Sequence, residues 1–367
     1  MARTITGTNT VGITLTLQSD NPVTVASGAV VSKTGTLSAL YGLGGGSNSW
    51  TIDNSGVLAG GGKGLQLGNT NSYVSTAIVT NRSTGTITGG VAGALIDNSG
   101  TALLANAGGS ISGGQFGVAI SGPGTVTNAA GSQILDTGTS GTSGAAIYLY
   151  GGQVYNAGSV TGRSGVDEFL GGTVTNVSGG VITGSIGAGV DLRGPGTVFN
   201  GGTISGGGSA GIFLEEGGSV TNLASGTIVG NYGIFNYGFA SYGGDVTNAG
   251  TIIGTSGVAV LFSTGGGSNY RLTVDPGAVF VGAVYGGGGV VELAPGSSTG
   301  TLYGFGSTIT NFSTLQFDKG SSWNISGDQG GLGTMSIVGL AAGDVVDLTG
   351  FAATAESFSN GTLDAHR

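Results

Sequence analysis

Residues 156–222 read NAGSVTGRSGVDEFLGGTVTNVSGGVITGSIGAGVDLRGPGTVFNGGTISGGGSAGIFLEEGGSVTN. One phrase passes three times: Gly, Val or Ile, five variable residues, Gly, any residue, Val, any residue, Asn. It runs from Gly165 to Asn176, from Gly189 to Asn200 and from Gly211 to Asn222. Short alternating apolar runs bounded by Gly are strand spelling, and self-similarity at a fixed period marks stacked repeats. The stretch therefore reads as three consecutive coils of an all-β, parallel β-helix (a β-solenoid).

Working outward, the motif Asn recurs at Asn54, Asn81, Asn106, Asn128, Asn156, Asn176, Asn200, Asn222 and Asn248. The intervals are 27, 25, 22, 28, 20, 24, 22 and 26 residues, or about 24 per coil. Three strands of four or five residues plus three bends use that length. Variable intervals place insertions in the bends while strand register is kept, and the repeat region predicts roughly eleven to thirteen coils. An Asn amide carries both donor and acceptor, so stacked copies can bond along the axis. A buried Asn ladder at an interior turn is the expected arrangement.

Composition agrees. The chain has 367 residues with 83 Gly, yet no Gly-X-Y period, and 38% of its residues are hydrophobic. Collagen and low-complexity disorder are thereby excluded. Net charge is −9 without a basic cluster, which sets aside nucleic acid and a polybasic membrane contact as partners. The chain has no Cys, hence no disulfide scaffold and no thiolate metal site. No apolar run approaches the ~20 residues of a membrane span. The opening MARTITGTNT lacks signal-peptide layout, so an export signal would lie outside this chain. The single His366 sits in the polar tail, and neither a metal nor a cofactor is expected.

Four segments follow from the spelling: capping coils over 1–48, regular repeats over 49–263, coils richer in large apolar residues over 264–339, and a tail over 340–367 that looks cut mid-strand. The native protein is expected to continue beyond it.

The phrases Val154-Tyr-Asn-Ala-Gly-Ser-Val-Thr-Gly, Gly217-Gly-Ser-Val-Thr-Asn and Val246-Thr-Asn-Ala-Gly-Thr-Ile-Ile-Gly resemble the passenger regions of bacterial autotransporters and related β-strand-repeat surface proteins, over roughly residues 50–325. The resemblance implies a right-handed parallel β-helix, export to the cell surface and a structural or adhesive role in matrix contact or biofilm. Surface glycans or extracellular matrix polymers, and self-association, are the partners it suggests.

Candidate chemistry gathers in the same stretch. Aligning the coils places Asp167 and Asp191 at one position of adjacent coils, one strand spacing of ~4.8 Å apart. Arg193 and Glu215 share another position, with Phe169 beneath them and Glu216 next in sequence. Paired carboxylates at such a separation can serve glycoside hydrolysis or offer oxygen ligands to Ca²⁺, and Asp167, Asp191 and Glu168 would be the residues of a polysaccharide-active enzyme; the plainer and favoured reading is a solvated face with an exposed Arg193–Glu215 pair. Glu168 aligns with Leu192 and Leu214, which point inward if strand alternation holds. Because burying a lone carboxylate is costly, a bulge that turns Phe169 inward is the favoured expectation. Aromatic residues concentrate between Tyr148 and Tyr242, including Phe169, Tyr237 and Tyr242. They suit core filling, a stack along the coil ladder, or a carbohydrate-binding surface beside the long 236–244 bend. An enzyme predicts a cleft at the carboxylates, and a sugar-binding module predicts exposed rings.

Overall fold

A strand of four or five residues turns only two or three side chains inward, so no coil can complete a core alone; its neighbours on the axis must do it. The computed structural model describes residues 2–139, 144–238, 242–263 and 269–350, together with the backbone of 355–359 and 362–366. In it the chain forms a parallel β-solenoid of about 14 turns, more than the repeat count predicts, because parallel pairing extends from Arg3 to Leu348.

Each central coil has three faces. Gly172–Asn176, Val181–Gly184 and Val190–Leu192 are one example, and Gly196–Asn200, Thr203–Gly206 and Ala210–Leu214 follow it. First-face strands form a 15-stranded sheet, and the second and third faces merge into one of 25 strands. The merger occurs where a single strand rounds the corner, as in Thr227–Asn236 and Thr251–Phe262.

Like stacks on like inside. Val174, Val198, Val220 and Val246 form one column. Ile182, Ile204, Ile228 and Ile252 form a second, and Val166, Val190, Ile212 and Ile234 a third. All are fully buried, or within 1% of it. The β-branched side chains keep restricted χ1 rotamers on the pleat, so each copy repeats the contacts of the one below. Gly189 immediately precedes the third-face strand Val190–Leu192, where a Cβ would lie 2.6 Å from the Ile204 side chain and 2.7 Å from the Gly211 carbonyl. Only Gly allows the coils to close there.

The Asn ladder is present from Asn54 to Asn248. Each Nδ2 donates to the Oδ1 of the next Asn at 2.8–2.9 Å, and all nine residues are buried. Each interior rung also donates to bend carbonyls; Asn176, for example, reaches Gly180 and Thr203, both at 3.1 Å. The amide thus replaces the water that the bend backbone loses on burial. The ladder stops where apolar residues take the position: Val25 pairs with Asn54, and Val274 with Asn248.

Candidate functional site: an acidic and aromatic strip on the third face

Strand alternation sends every second third-face residue outward, and the parallel register lines these residues up along the axis. One outer column runs Tyr148, Asp167, Asp191, Phe213, Phe235. A second, at the strand ends, runs Tyr150, Phe169, Arg193, Glu215, Tyr237, each amide bonding to the carbonyl of the preceding coil's inward residue. The predicted Asp167–Asp191 juxtaposition is therefore a direct register pair.

The predicted Arg193–Glu215 ion pair gives way to a different one. Arg193 grips both oxygens of Asp167, through Nε at 3.0 Å and Nη2 at 2.6 Å. A planar guanidinium matches a carboxylate with two parallel bonds, a fork that Glu215, on the far side of Arg193, does not receive. Arg193 also lies over the Phe169 ring, 6.0 Å from its centroid.

Asp191 has less support. Among the described residues its enclosed Oδ1 has no hydrogen-bond partner. Burial, followed by the neighbouring charges of Asp167 and Glu215, pushes its carboxyl up to about 7 against the opposing pull of Arg193. Burial also raises Asp167 and Glu215 above the usual carboxylate range, with Arg193 opposing in both cases.

Glu168 corrects an expectation. No bulge intervenes: Leu149, Glu168 and Leu192 are successive partners in unbroken register. The Glu168 side chain enters the core at 0% exposure, and Phe169 stays outside at 38%. Among the described residues neither carboxyl oxygen of Glu168 has a hydrogen-bond partner. Burial, with the charge of Asp167 adding to it, pushes Glu168 up to about 8. It is thus a protonated core residue at neutral pH, on the opposite side of the strand from Asp167 and Asp191.

The rings lie outside the coil. Tyr150 stacks on Phe169 at 5.2 Å between centroids, and Phe213 on Phe235 at 5.1 Å. Tyr232 and Tyr237 flank Phe235 at 5.2 and 5.8 Å, and Phe116 meets Tyr148 at 5.5 Å. With the Asp191 strand, which carries no ring, among them, these residues span six successive third-face strands, from Phe116–Ile120 to Thr227–Asn236, a strip of roughly 24 Å at the usual strand spacing. Tyr242 is exposed but stands apart, at the corner that leads into the first face; residues 239–241 of the long bend lie outside the described residues. Tyr155 and Phe199 belong to the first face, alternating with Thr175 and Thr221.

An open cavity of about 480 Å³ lies at this corner between the third face and the first, lined by residues such as Pro195, Ser219 and Asn269, and a second of about 350 Å³ lies near Phe312 and Met335. Neither is lined by Asp167, Asp191, Glu215 or Glu216. Among the described residues no three His, Cys, Asp or Glu side chains converge as a metal site, and no helix is long and apolar enough to cross a membrane.

Two features escape a reading of the repeat phrase. Arg163 and Asp136 form an ion pair at 2.9 Å, with their side chains 6% and 0% exposed, at the corner between second and third faces. The signal available was that Asp136 takes the position of Gly113 in the preceding coil. Asn236 occupies the same inward column as Glu168, following Leu192 and Leu214, and neither end of its amide has a partner among the described residues. The column alignment that flags Glu168 flags Asn236 equally.

No family model matches the chain, and no curated protein and no solved structure matches it.

Proposed function

We propose that this chain is a non-catalytic contact module: a rigid rod that an exported bacterial protein presents at the cell surface to glycans or matrix polymers. The observation that carries the reading is the unbroken axial pairing from Arg3 to Leu348, with the buried Asn ladder inside it. Bending such a rod would break backbone and amide bonds on several coils at once. Only 7% of residues are charged, so the polar part of the surface is chiefly hydroxyl, amide and Gly, suited to contact with other hydrated polymers. The resemblance of the repeat phrases to autotransporter passengers supports export in the same sense.

A polysaccharide-active enzyme is the second reading, favoured by the Asp167–Asp191 register pair. Two features weigh against it. Arg193 holds both oxygens of Asp167, so the register partner of Asp191 is not a free base or nucleophile. The pair also lines neither the cavity near Pro195 nor the one near Phe312, whereas enzymes of this kind enclose the substrate.

Beads coated with the full chain, tested for retention on bacterial cells and on polysaccharide films, separate the readings when the same films are assayed for newly released reducing ends. Retention without release is expected. Release of reducing ends that is lost in Asp191→Asn would replace the contact reading with the enzymatic one.

A further inference from the structure

The third-face strip has an excess of acceptors and no cation to spare. Asp167, Asp191, Glu215 and Glu216 supply four carboxyls against one guanidinium, and that guanidinium is committed to Asp167. Asp191 is only part-buried, and because its enclosed Oδ1 has no donor among the described residues, the carboxyl is not compensated from within the coil. On both sides along the axis stand flat rings, Tyr150 on Phe169 toward one end and Phe213 on Phe235 toward the other. An occupant that completes this arrangement brings positive charge and N–H donors to the centre and flat apolar faces to the flanks. A sugar ring with a free ammonium has both. Its C–H face rests on an aromatic ring, and its ammonium is drawn to the carboxylates and to the ring faces.

Shape separates this occupant from a basic peptide. Peptides commonly bind a sheet by adding a strand to an exposed edge. Here the third-face backbone is already paired on both sides from Phe116 to Asn236, and only side chains are offered. A linear polysaccharide laid along the axis meets a new coil every ~4.8 Å, about the length of one sugar unit, so successive units meet successive coils.

We propose that the third face between Phe116 and Tyr237 binds a linear polysaccharide that carries free amino groups, with its ammonium groups on Asp191 and Glu215 and its sugar faces on the Tyr150–Phe169 and Phe213–Phe235 pairs. The proposal rests on the contact reading above and names the polymer. A fully acetylated or neutral polysaccharide lacks the charge, and an anionic one is repelled by a surface whose net charge is −9.

Calorimetric titration of the full chain with a glucosamine hexamer, an N-acetylglucosamine hexamer and hexalysine tests it. The expected result is binding of the glucosamine hexamer at least tenfold tighter than that of the other two. Asp191→Asn combined with Glu215→Gln is expected to weaken it tenfold or more, and Phe213→Ala about as much. Asp191→Asn removes an unsatisfied carboxylate, so loss of folding is not expected; the thermal midpoint of each variant checks that. Equal binding of the acetylated hexamer, hexalysine binding as tightly as glucosamine, an unaffected Asp191→Asn/Glu215→Gln variant, or no binding at all would each overturn the proposal. With beads still retained on cells, such a failure leaves the contact reading standing. Cleavage of either hexamer would remove the contact reading itself.

Discussion

Asp167 and Glu168 are chain neighbours whose carboxyls lie on opposite sides of one strand, the first clamped by Arg193 on the outer face and the second sealed in the core between Leu149 and Leu192. The same acid group thereby serves in two environments one residue apart. Outside, it has a cation and two charge-assisted bonds; inside, it is held neutral by burial.

Glu168 should cost the fold stability as pH rises. Its folded pKa of about 8 exceeds the ordinary 4.5, so between those values the native state retains a proton that the unfolded chain releases. Stability therefore falls across pH 4.5 to 8 and levels off above. Replacing it with the residue of its column neighbours, Glu168→Leu, is expected to stabilise the protein by on the order of 2–4 kcal/mol at pH 8. The gain shrinks toward pH 4. Urea unfolding of both proteins at the two pH values measures it; a gain independent of pH would contradict the assignment.

Asn176→Ala removes one rung. Asn200 Oδ1 loses its donor and Asn156 Nδ2 its acceptor, and the bend carbonyls of Gly180 and Thr203 lose theirs. A loss of about 2–4 kcal/mol is expected. Asn54→Ala, at the ladder's end, interrupts only one inter-Asn bond and is expected to cost about half of that or less. Chemical denaturation of the two variants side by side gives the ratio.

Arg163→Met should be among the most damaging surface-remote substitutions. It strips the Nε and Nη2 bonds from a carboxylate whose side chain is 0% exposed. The orphaned Asp136 keeps the amides of Gly138 and of residue 163, and the expected loss is about 3–5 kcal/mol. Asp136→Asn in the same background should recover part of it, which a double-mutant cycle reads directly.

Gly171→Ala tests the corner after the third face. Gly171 has φ +78°, and a Cβ there would stand 2.1 Å from the Pro195 carbonyl. Left-handed strain and a backbone clash act together, so a loss of about 3 kcal/mol or more is expected by thermal melting. Gly179→Ala, with similar φ of +83° but open space around it, should cost only about 1 kcal/mol.

Much of this was legible in residues 156–222. A strand period of two and a coil period near 24 both depend on local spacing, so the three faces, the Val and Ile columns, the Asn ladder and the Asp167–Asp191 pair can all be read by alignment. Strand alternation also pointed Glu168 inward; the cost of burying a carboxylate argued for a bulge, but the regular register of its neighbours prevailed. Only the tertiary structure decided where long side chains reach. Arg193 spans from its own coil to Asp167 rather than pairing with Glu215, because the fork of its guanidinium matches the carboxylate on that side. Arg163 folds back under a corner to Asp136, and the rings of Tyr148, Phe213 and Phe235 turn outward, the last two into a stack. Backbone spacing fixes the columns. The flexible length of Arg, Tyr and Phe, set against the packing around each, determines which columns touch.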